Sequence, residues 1–223
     1  MHTTVIAKSP IAGRVKSRLC PPCTPTQAAA LAAAALIDTV GAINRLLAGH
    51  DVRRVLLLDG PVPDWLPASF DVERQSDGDL GERLANGFDL LGPGVIIGMD
   101  TPHAVPALRF ALDAIDRGQD SLGPAVDGGY WAIGLARPDP AIFAGIGMST
   151  SHTGRDQLER LQQLGRRVAI LPEARDIDTF DDVIALAATN WSGRSVQCAQ
   201  QLVASILPQE RHWHDVGKGA PSR

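Results

Sequence analysis

Residues 3–22 read TTVIAKSPIAGRVKSRLCPP, and this stretch decides the fold. Its first five residues form a short apolar run containing Val5 and Ile6, which predicts a β-strand. The segment Lys8–Pro22 predicts a loop, because three prolines and a glycine interrupt it. A polar loop directly after a buried strand is typical of the ligand-binding edge of an open α/β sheet.

The same loop is basic in an otherwise acidic protein. The chain has 21 Lys+Arg against 25 Asp+Glu, a net charge of -4, yet no acid precedes Asp38. If the stretch after Gly13 is extended, alternation places three of its cations on one side, and Gly13 allows close approach of the backbone to a ligand. Charge alone leaves two interpretations open, a solvated basic loop or a polyphosphate site. The cations before Asp38 are Lys8, Arg14, Lys16 and Arg18.

Downstream, apolar strands alternate with helical patterns, which predicts βαβ units and a mostly parallel sheet. We therefore expect an α/β fold, a Rossmann-like three-layer sandwich, as a single domain over residues 1–207 with a flexible tail over 208–223. Later strands are predicted over residues 52–58, 70–74, 95–98, 122–126, 130–135 and 168–171. Helices are predicted from Thr24 or Thr26 to about Ala48, and over residues 80–91, 105–117, 154–164, 180–189 and 195–207.

Composition excludes several classes of protein. The 223 residues are 44% hydrophobic and 21% charged, as in globular domains, and the acidic balance argues against a nucleic-acid partner. The apolar stretch Gln27–Ala48 contains Asp38 and Arg45, which argues against a membrane span. No secretory signal pattern is seen, and three cysteines fit a reducing compartment, so we expect a cytoplasmic protein. A homodimer is left open.

The basic loop, Asp100 and Asp127 each follow a predicted strand, so topology predicts that they converge on one crevice. Asp100 is interpreted either as a Mg²⁺ ligand or, with Thr101, as a helix cap. The sequence Asp127-Gly128-Gly129-Tyr130 indicates a two-residue hairpin turn or a ligand-facing loop. Asp176-Ile177-Asp178-Thr179 resembles the capping-box start of a helix.

Two further motifs are weaker. Cys20-Pro21-Pro22-Cys23 has redox spacing, but one pair makes no structural zinc site. His212-Trp213-His214 could chelate a metal within the predicted tail.

Taken in order, five segments resemble the radical-SAM/selenodomain-associated transferase 1 family, which is often labelled as arsenosugar biosynthesis glycosyltransferases of GT-A-like fold. More distantly, the chain is similar to the 2-phospholactate and molybdenum-cofactor guanylyltransferases. The segments span residues 5 to 190. They are AKSPIAGRVKSRL at Ala7–Leu19, DLGERL at Asp79–Leu84, GMDTP at Gly98–Pro102, DGGY at Asp127–Tyr130 and DIDT at Asp176–Thr179.

The resemblance implies roles for individual residues. Asp100 and Asp178 would hold Mg²⁺ or Mn²⁺, and catalysis would involve Lys8, Arg14, Lys16, Arg18 and Asp127. Nucleotide binding would involve Ala7, Lys8, Gly13, Arg14, Lys16, Gln75 and Gly81. The acceptor would contact Asp127, Gly128, Gly129, Tyr130, Ser149 and Thr150.

Three functions remain as hypotheses. The first is metal-dependent nucleotidyl transfer from a nucleoside triphosphate to a small acceptor, with release of pyrophosphate, because four cations suit a triphosphate. The second is glycosyl transfer from a nucleotide sugar. The third is a nucleotide-binding protein without catalysis.

Overall fold

The structure is a computed structural model that describes residues 1–207. Strands and helices alternate through most of it. The strands are β1 (His2–Lys8), β2 (Arg53–Asp59), β3 (Asp71–Arg74), β4 (Gly94–Gly98), β5 (Asp120–Pro124), β6 (Tyr130–Leu135) and β7 (Val168–Ile170). The helices are α1 (Pro25–Leu46), α2 (Leu80–Leu91), α3 (Leu108–Asp116), α4 (Thr153–Gln163), α5 (Phe180–Ala187) and α6 (Arg194–Ile206). Short 3₁₀ turns cover Ser17–Leu19, Pro102–Ala107 and Pro140–Ile142.

The seven strands form one sheet in the order β3-β2-β1-β4-β6-β5-β7. Only β6 runs antiparallel to its two neighbours, so six strands point the same way and the predicted mostly parallel sheet is confirmed. The loops after β1, β4, β5 and β7 therefore emerge at one edge, called here the carboxyl edge. The opposite edge is called the amino edge.

The sheet is buried on both faces, which explains the continuous apolar runs of its strands. In β4, Val95 and Ile97 pack on the side of α1 and α3, whereas Ile96 packs with Phe88 of α2 on the other side. These faces give the three layers that the sequence predicted.

The N-terminus of α1 is capped by Thr24, whose side chain accepts a hydrogen bond from the Gln27 backbone N–H. By length and mean hydropathy alone, α1 is long and apolar enough to cross a membrane, although the core helices of globular proteins can meet the same criterion. In this structure α1 is a core helix, because its side chains Leu31, Leu36 and Ile43 are fully buried in the protein. An apolar helix buried in this way is typical of the centre of a globular domain.

A second apolar cluster joins distant parts of the chain. Leu19 and Cys23, at the end of the basic loop, pack with residues of α1, α5 and α6. Asp38 of α1 fixes α6 there, because its carboxylate accepts bonds from the backbone N–H groups of Arg194 (3.0 Å) and Ser195 (2.8 Å). The basic loop is thus anchored on a helix that lies more than 170 residues later in the chain.

Three local predictions were wrong. The basic loop is not extended, because Lys16 has a left-handed backbone (φ +51°) and the 3₁₀ turn Ser17–Leu19 follows it. The connection between β5 and β6 spans residues 125–129 rather than two residues. The helix predicted over 105–117 is divided, with a 3₁₀ turn preceding α3. The predicted tail and its histidine pair lie outside the described residues.

Candidate functional site

A cavity of about 620 Å³ opens at the carboxyl edge of the sheet. Its walls come from the basic loop, the segments after β3, β4 and β7, and the start of β6. The convergence that strand topology predicted is present for the basic loop and Asp100, whereas Asp127 lies outside the cavity lining. Of the residues singled out from the sequence, the cavity is lined by Ala7, Lys8, Arg14, Lys16, Gln75, Asp100, Tyr130, Ser149 and Asp178.

Seven predicted site residues do not line this cavity. Gly81 lies in a neighbouring groove beside α2. Thr150 is engaged in the local structure before α4, where its hydroxyl lies 3.0 Å from the Thr153 hydroxyl. Arg18 points to Asp178 at the protein surface. The others outside the lining are Gly13, Asp127, Gly128 and Gly129.

The four cations of the basic loop divide into two pairs. Lys16 Nζ lies 2.7 Å from Asp100 Oδ2 and 4.0 Å from Asp178 Oδ1, and Arg18 bonds to Asp178 Oδ2. Lys8 and Arg14 have no ion-pair partner within residues 1–207, and both line the cavity. The unpaired positive charge that faces a ligand therefore comes from Lys8 and Arg14.

Two cavity residues have a strained backbone. Lys16 (φ +51°) and Ser149 (φ +60°) are the only non-glycine residues with positive φ in the described part of the chain. This conformation costs about 1–2 kcal/mol for an L-residue, and such strain clusters at functional sites. Its coincidence with the cavity supports a functional role for this edge.

The sequence analysis did not assign a site role to Asp176, which also lines the cavity. Burial, together with the negative charges of Asp100 and Asp127, raises the pKa of Asp176 to about 7. Its Oδ1 atom is buried without a hydrogen-bond partner. The available signal was the Asp-x-Asp spacing at 176–178, which we interpreted as helix capping.

The capping interpretation of that segment is also correct. Asp182 accepts hydrogen bonds from the backbone and hydroxyl of Thr179, which completes a capping box at the start of α5. Asp176 and Asp178 precede this cap and face the cavity. One short segment thus begins a helix and supplies carboxylates to the site.

The carboxylate oxygens at this edge are candidate ligands for a divalent cation. Asp100 Oδ1 and Asp176 Oδ1 are buried and unpartnered, and carboxylate oxygens are the ligands that Mg²⁺ prefers. No group of three or more His, Cys, Asp or Glu residues that could hold a metal occurs within the described residues. Mg²⁺ commonly takes one or two carboxylates together with substrate phosphates, so these residues fit an ion that is shared with a ligand.

Gln75 is held firmly beneath the basic loop. Its Nε2 donates to the carbonyl oxygens of Ala7 (2.7 Å) and Leu57 (3.0 Å). Its Oε1 accepts from Arg83 Nη1 at 3.1 Å. Both side-chain donors of Gln75 are therefore occupied, which leaves only Oε1 for the predicted contact with a nucleotide.

The glycines after Asp127 have a packing role. Gly128 has φ +88°, and a Cβ there would lie 1.9 Å from the backbone oxygen of Ser151. The Gly154 N–H donates to the Gly128 carbonyl oxygen at 2.8 Å, which joins the β5–β6 turn to the start of α4. Asp127 Oδ1 accepts the Gly129 N–H at 2.8 Å. This motif requires small residues because two backbones meet here.

Tyr130 bounds the side of the cavity where an acceptor was predicted. Its hydroxyl donates to Gln157 Oε1 at 3.4 Å and lies 3.8 Å from Met148 Sδ. Burial raises the pKa of Tyr130, so its phenol stays neutral and serves as a hydrogen-bond donor.

The three cysteines within the described residues are free thiols. Burial raises the pKa of Cys23 and of Cys198, which disfavours the reactive thiolate. This environment gives no support to the redox interpretation of Cys20 and Cys23.

Comparison with solved structures agrees with the fold. A crystal structure from Desulfovibrio desulfuricans G20, provisionally described as a nucleotide-diphospho-sugar transferase, is 24% identical with a TM-score of 0.79, covering 92% of this chain and 97% of that one. A cytidylyltransferase from Leptospira borgpetersenii is 12% identical with a TM-score of 0.48, covering 96% of this chain and 98% of its own. At that score the second similarity carries no argument.

No curated protein matches the chain significantly. A family model does match residues 29–150, more than half of the sequence, and its description is "Uncharacterized protein conserved in bacteria (DUF2064)". The match includes Asp100 and the Asp127–Tyr130 turn, and it ends at Thr150. The chain therefore belongs to the DUF2064 family.

Proposed function

We propose that this protein is a nucleotide-using transferase that binds a polyphosphate at the carboxyl edge of its sheet. The observation that carries the proposal is that unpartnered groups of both signs surround one cavity. Within the described residues, Lys8 and Arg14 have no acidic partner, and carboxylate oxygens of other lining residues have no hydrogen bond. Phosphate groups satisfy the cations, and a divalent cation between phosphate and carboxylate satisfies the acids. A simple solvated basic loop does not account for buried acids without partners.

The reaction that we favour is nucleotidyl transfer from a nucleoside triphosphate to a small acceptor, with release of pyrophosphate. Lys8 and Arg14 bind phosphate oxygens and stabilise the charge that develops on them. Asp100 and Asp178 would hold Mg²⁺ or Mn²⁺, which would neutralise part of the phosphate charge when bound. Tyr130 and Ser149 face the acceptor. Asp127, which lies outside the cavity lining, contacts the acceptor and takes part in catalysis.

Glycosyl transfer from a nucleotide sugar is the second candidate, because the charge count does not favour a triphosphate over a diphosphate. Asp100 and Asp178 already neutralise Lys16 and Arg18, so the free charge is that of two cations and not four. Two cations suit a diphosphate as well as a triphosphate. The Desulfovibrio structure, which shares this fold, is described as a nucleotide-diphospho-sugar transferase.

A ligand panel followed by product analysis tests the proposal. Thermal shifts are measured with each nucleoside triphosphate and several nucleotide sugars, with and without Mg²⁺. A ligand at about 100 times its Kd adds about 2.7 kcal/mol of stability. Preference for a triphosphate, with pyrophosphate released on turnover, supports nucleotidyl transfer; preference for a nucleotide sugar, with a nucleoside diphosphate released, supports glycosyl transfer.

A matched pair of variants locates the binding. Arg14→Ala is expected to weaken the ligand about 10- to 100-fold, the value of a charge-assisted hydrogen bond. Arg117→Ala, at an exposed arginine near the amino edge, is expected to change Kd less than about twofold, the scale of a screened, distant charge. No stabilisation by any member of the panel, or equal losses in both variants, contradicts the proposal.

A further inference from the structure

We propose that Lys16 is a placeholder cation: in the free protein its ammonium group holds Asp100, and a divalent cation gains Asp100 only when a polyphosphate draws Lys16 away. The inference rests on the proposed function and adds an order to it. Metal and polyphosphate would bind as coupled ligands, each favouring the other.

The first argument is the geometry of the ion pair. Lys16 Nζ lies 2.7 Å from Asp100 Oδ2 and 4.0 Å from Asp178 Oδ1, between the two acids singled out as metal ligands. The Lys16 side chain is only 9% exposed. The position of a cation at these carboxylates is therefore filled by the protein itself.

The Lys16 side chain is long enough to change partner without a change in the path of the loop. Val15 and Leu19 are buried on either side of Lys16, at 8% and 0% exposure, and they fix the path of the loop. The Lys16 side chain has four flexible carbons, so its ammonium can move several ångströms while the backbone stays in place. An arginine, with a rigid planar head group, is less suited to such an exchange.

A bound polyphosphate would give Lys16 a new partner in place of Asp100. Lys8 and Arg14 line the same cavity without acidic partners, so a polyphosphate bound to them would bring oxygens towards Lys16. Asp100 Oδ1 is buried and unpartnered, and it remains available to a second ligand. A divalent cation at Asp100 is repelled by the ammonium while Lys16 remains, and this repulsion disappears once Lys16 contacts phosphate.

Linkage makes the consequence measurable. If polyphosphate raises the affinity for the metal, the metal raises the affinity for polyphosphate by the same factor. Removal of the Lys16 charge should uncouple the two and allow the metal to bind to the free protein.

The first test measures Mn²⁺ binding to the nucleotide-free protein by electron paramagnetic resonance. Lys16→Met is expected to bind Mn²⁺ about tenfold more tightly than wild type. A neighbouring charge commonly shifts a pKa by about one unit or more, which is a tenfold change in an equilibrium constant. Lys8→Met is the matched control, because it removes the same charge from the same cavity without contacting a carboxylate; it should change the Kd less than about threefold. Equal effects in both variants, or no effect of Lys16→Met, overturn the inference.

A second test uses the wild-type protein and does not depend on the folding of a variant. The chain contains only three lysines, Lys8, Lys16 and Lys218, so lysine labelled with ¹³C at Cε gives three assignable signals. Mg²⁺ alone should leave the Lys16 signal in place, whereas inorganic triphosphate without metal should shift both Lys8 and Lys16. A triphosphate shift of Lys8 with Lys16 unchanged shows that the Asp100 pair persists, and it overturns the inference.

The two proposals fail separately. If no nucleotide binds but Lys16→Met tightens Mn²⁺ binding, the proposed function falls and the competition between Lys16 and metal stands. If nucleotides bind but Lys16→Met leaves the Mn²⁺ affinity unchanged, the function stands and the placeholder role falls.

Discussion

The two edges of the sheet treat buried ionisable groups in opposite ways. At the amino edge both ring nitrogens of His2 are used: Nε2 donates to the Gly92 carbonyl oxygen (3.1 Å) and Nδ1 accepts from Thr4 (2.8 Å). Asp120 accepts from the Ala136 N–H at 2.9 Å with Oδ1 and from Arg166 Nε at 2.8 Å with Oδ2. Both ring nitrogens of His2 and both carboxylate oxygens of Asp120 thus have the partners that stable burial requires.

At the carboxyl edge, single carboxylate oxygens are buried without partners. One oxygen of Asp100 and one of Asp176 are buried without a hydrogen bond, and Lys16 beside them has a strained backbone. The amino edge also has unpartnered buried atoms, namely the Thr3 and Ser121 hydroxyls and Arg54 Nε, but none belongs to an acid, and another nitrogen of Arg54 donates to the Leu47 carbonyl oxygen. The partners of His2 and Asp120 therefore stabilise the amino edge, whereas the unpartnered carboxylate oxygens make the carboxyl edge less stable than it would be with partners.

The largest expected effect is at the amino edge. Asp120→Ala should lower the free energy of unfolding by about 3–5 kcal/mol, because it leaves a largely buried Arg166 without its carboxylate. Asp178→Ala, which breaks the ion pair of an Arg18 side chain that is 63% exposed, should cost about 1 kcal/mol or less. Urea unfolding at pH 7 measures both, and equal losses would break the comparison between the edges.

A smaller effect of opposite sign is expected for Asp176→Asn. The folded pKa of Asp176, about 7, exceeds the value of 3.8 expected for an unfolded chain, so the folded state holds a proton that the unfolded state releases. Wild-type stability therefore falls as pH rises from about 4 to about 7, and the neutral amide escapes this loss. The stability gained by Asp176→Asn should grow by about 2 kcal/mol between pH 5 and pH 8.

Urea unfolding with a chelator present, at several pH values, measures this gain. Asp113→Asn, on the exposed face of α3, is the control and should give a difference that does not change with pH. A gain that is constant from pH 5 to pH 8 would show that Asp176 is ionised in the free protein.

The smallest effect is expected for His2→Gln, and its pH dependence has the reverse sign. Burial lowers the pKa of His2 from 6.5 to about 4, so the unfolded state binds a proton that the folded state excludes. The stability due to neutral His2 is complete above about pH 6.5 and is lost as pH falls towards 4. Wild type should therefore lose more folding stability than His2→Gln between pH 6.5 and pH 4.5, by about 1–2 kcal/mol.

The control for His2→Gln is His50→Gln, in the exposed segment before β2. Unfolding curves at pH 6.5 and 4.5 should differ in His2→Gln less than in wild type, and His50→Gln should resemble wild type. If both variants lose as much stability as wild type between pH 6.5 and pH 4.5, a group other than His2 causes that loss.

The strands of this fold were predictable because their burial on both faces leaves continuous apolar runs. Val95–Gly98 and Tyr130–Leu135 were recognised in that way, and strand topology then brought the polar loops to one edge. The direction of β6 was predictable as well, since a short turn joins it to β5. Local pattern and topology together therefore locate the site.

The charge state of the site was not predictable. The ion pair between Lys16 and Asp100 joins residues 84 positions apart, and nothing in either motif indicates it. The left-handed backbone of Lys16 also escaped prediction, because lysine has no preference for that conformation and tertiary contacts impose it. Asp176 was assigned to capping because local sequence cannot show that a carboxylate is buried among other acids.

The anchoring of α6 by Asp38 has a consequence for synthesis of the protein. Leu19 and Cys23, which hold the end of the basic loop, find part of their apolar surroundings only when residues 194–206 have emerged and docked on α1. Such long-range contacts form late, because the entropy of closing a long loop must be overcome first. A nascent chain can therefore assemble much of the sheet while its basic loop is still unfinished, so that the cavity at the carboxyl edge is completed only after α6 has docked.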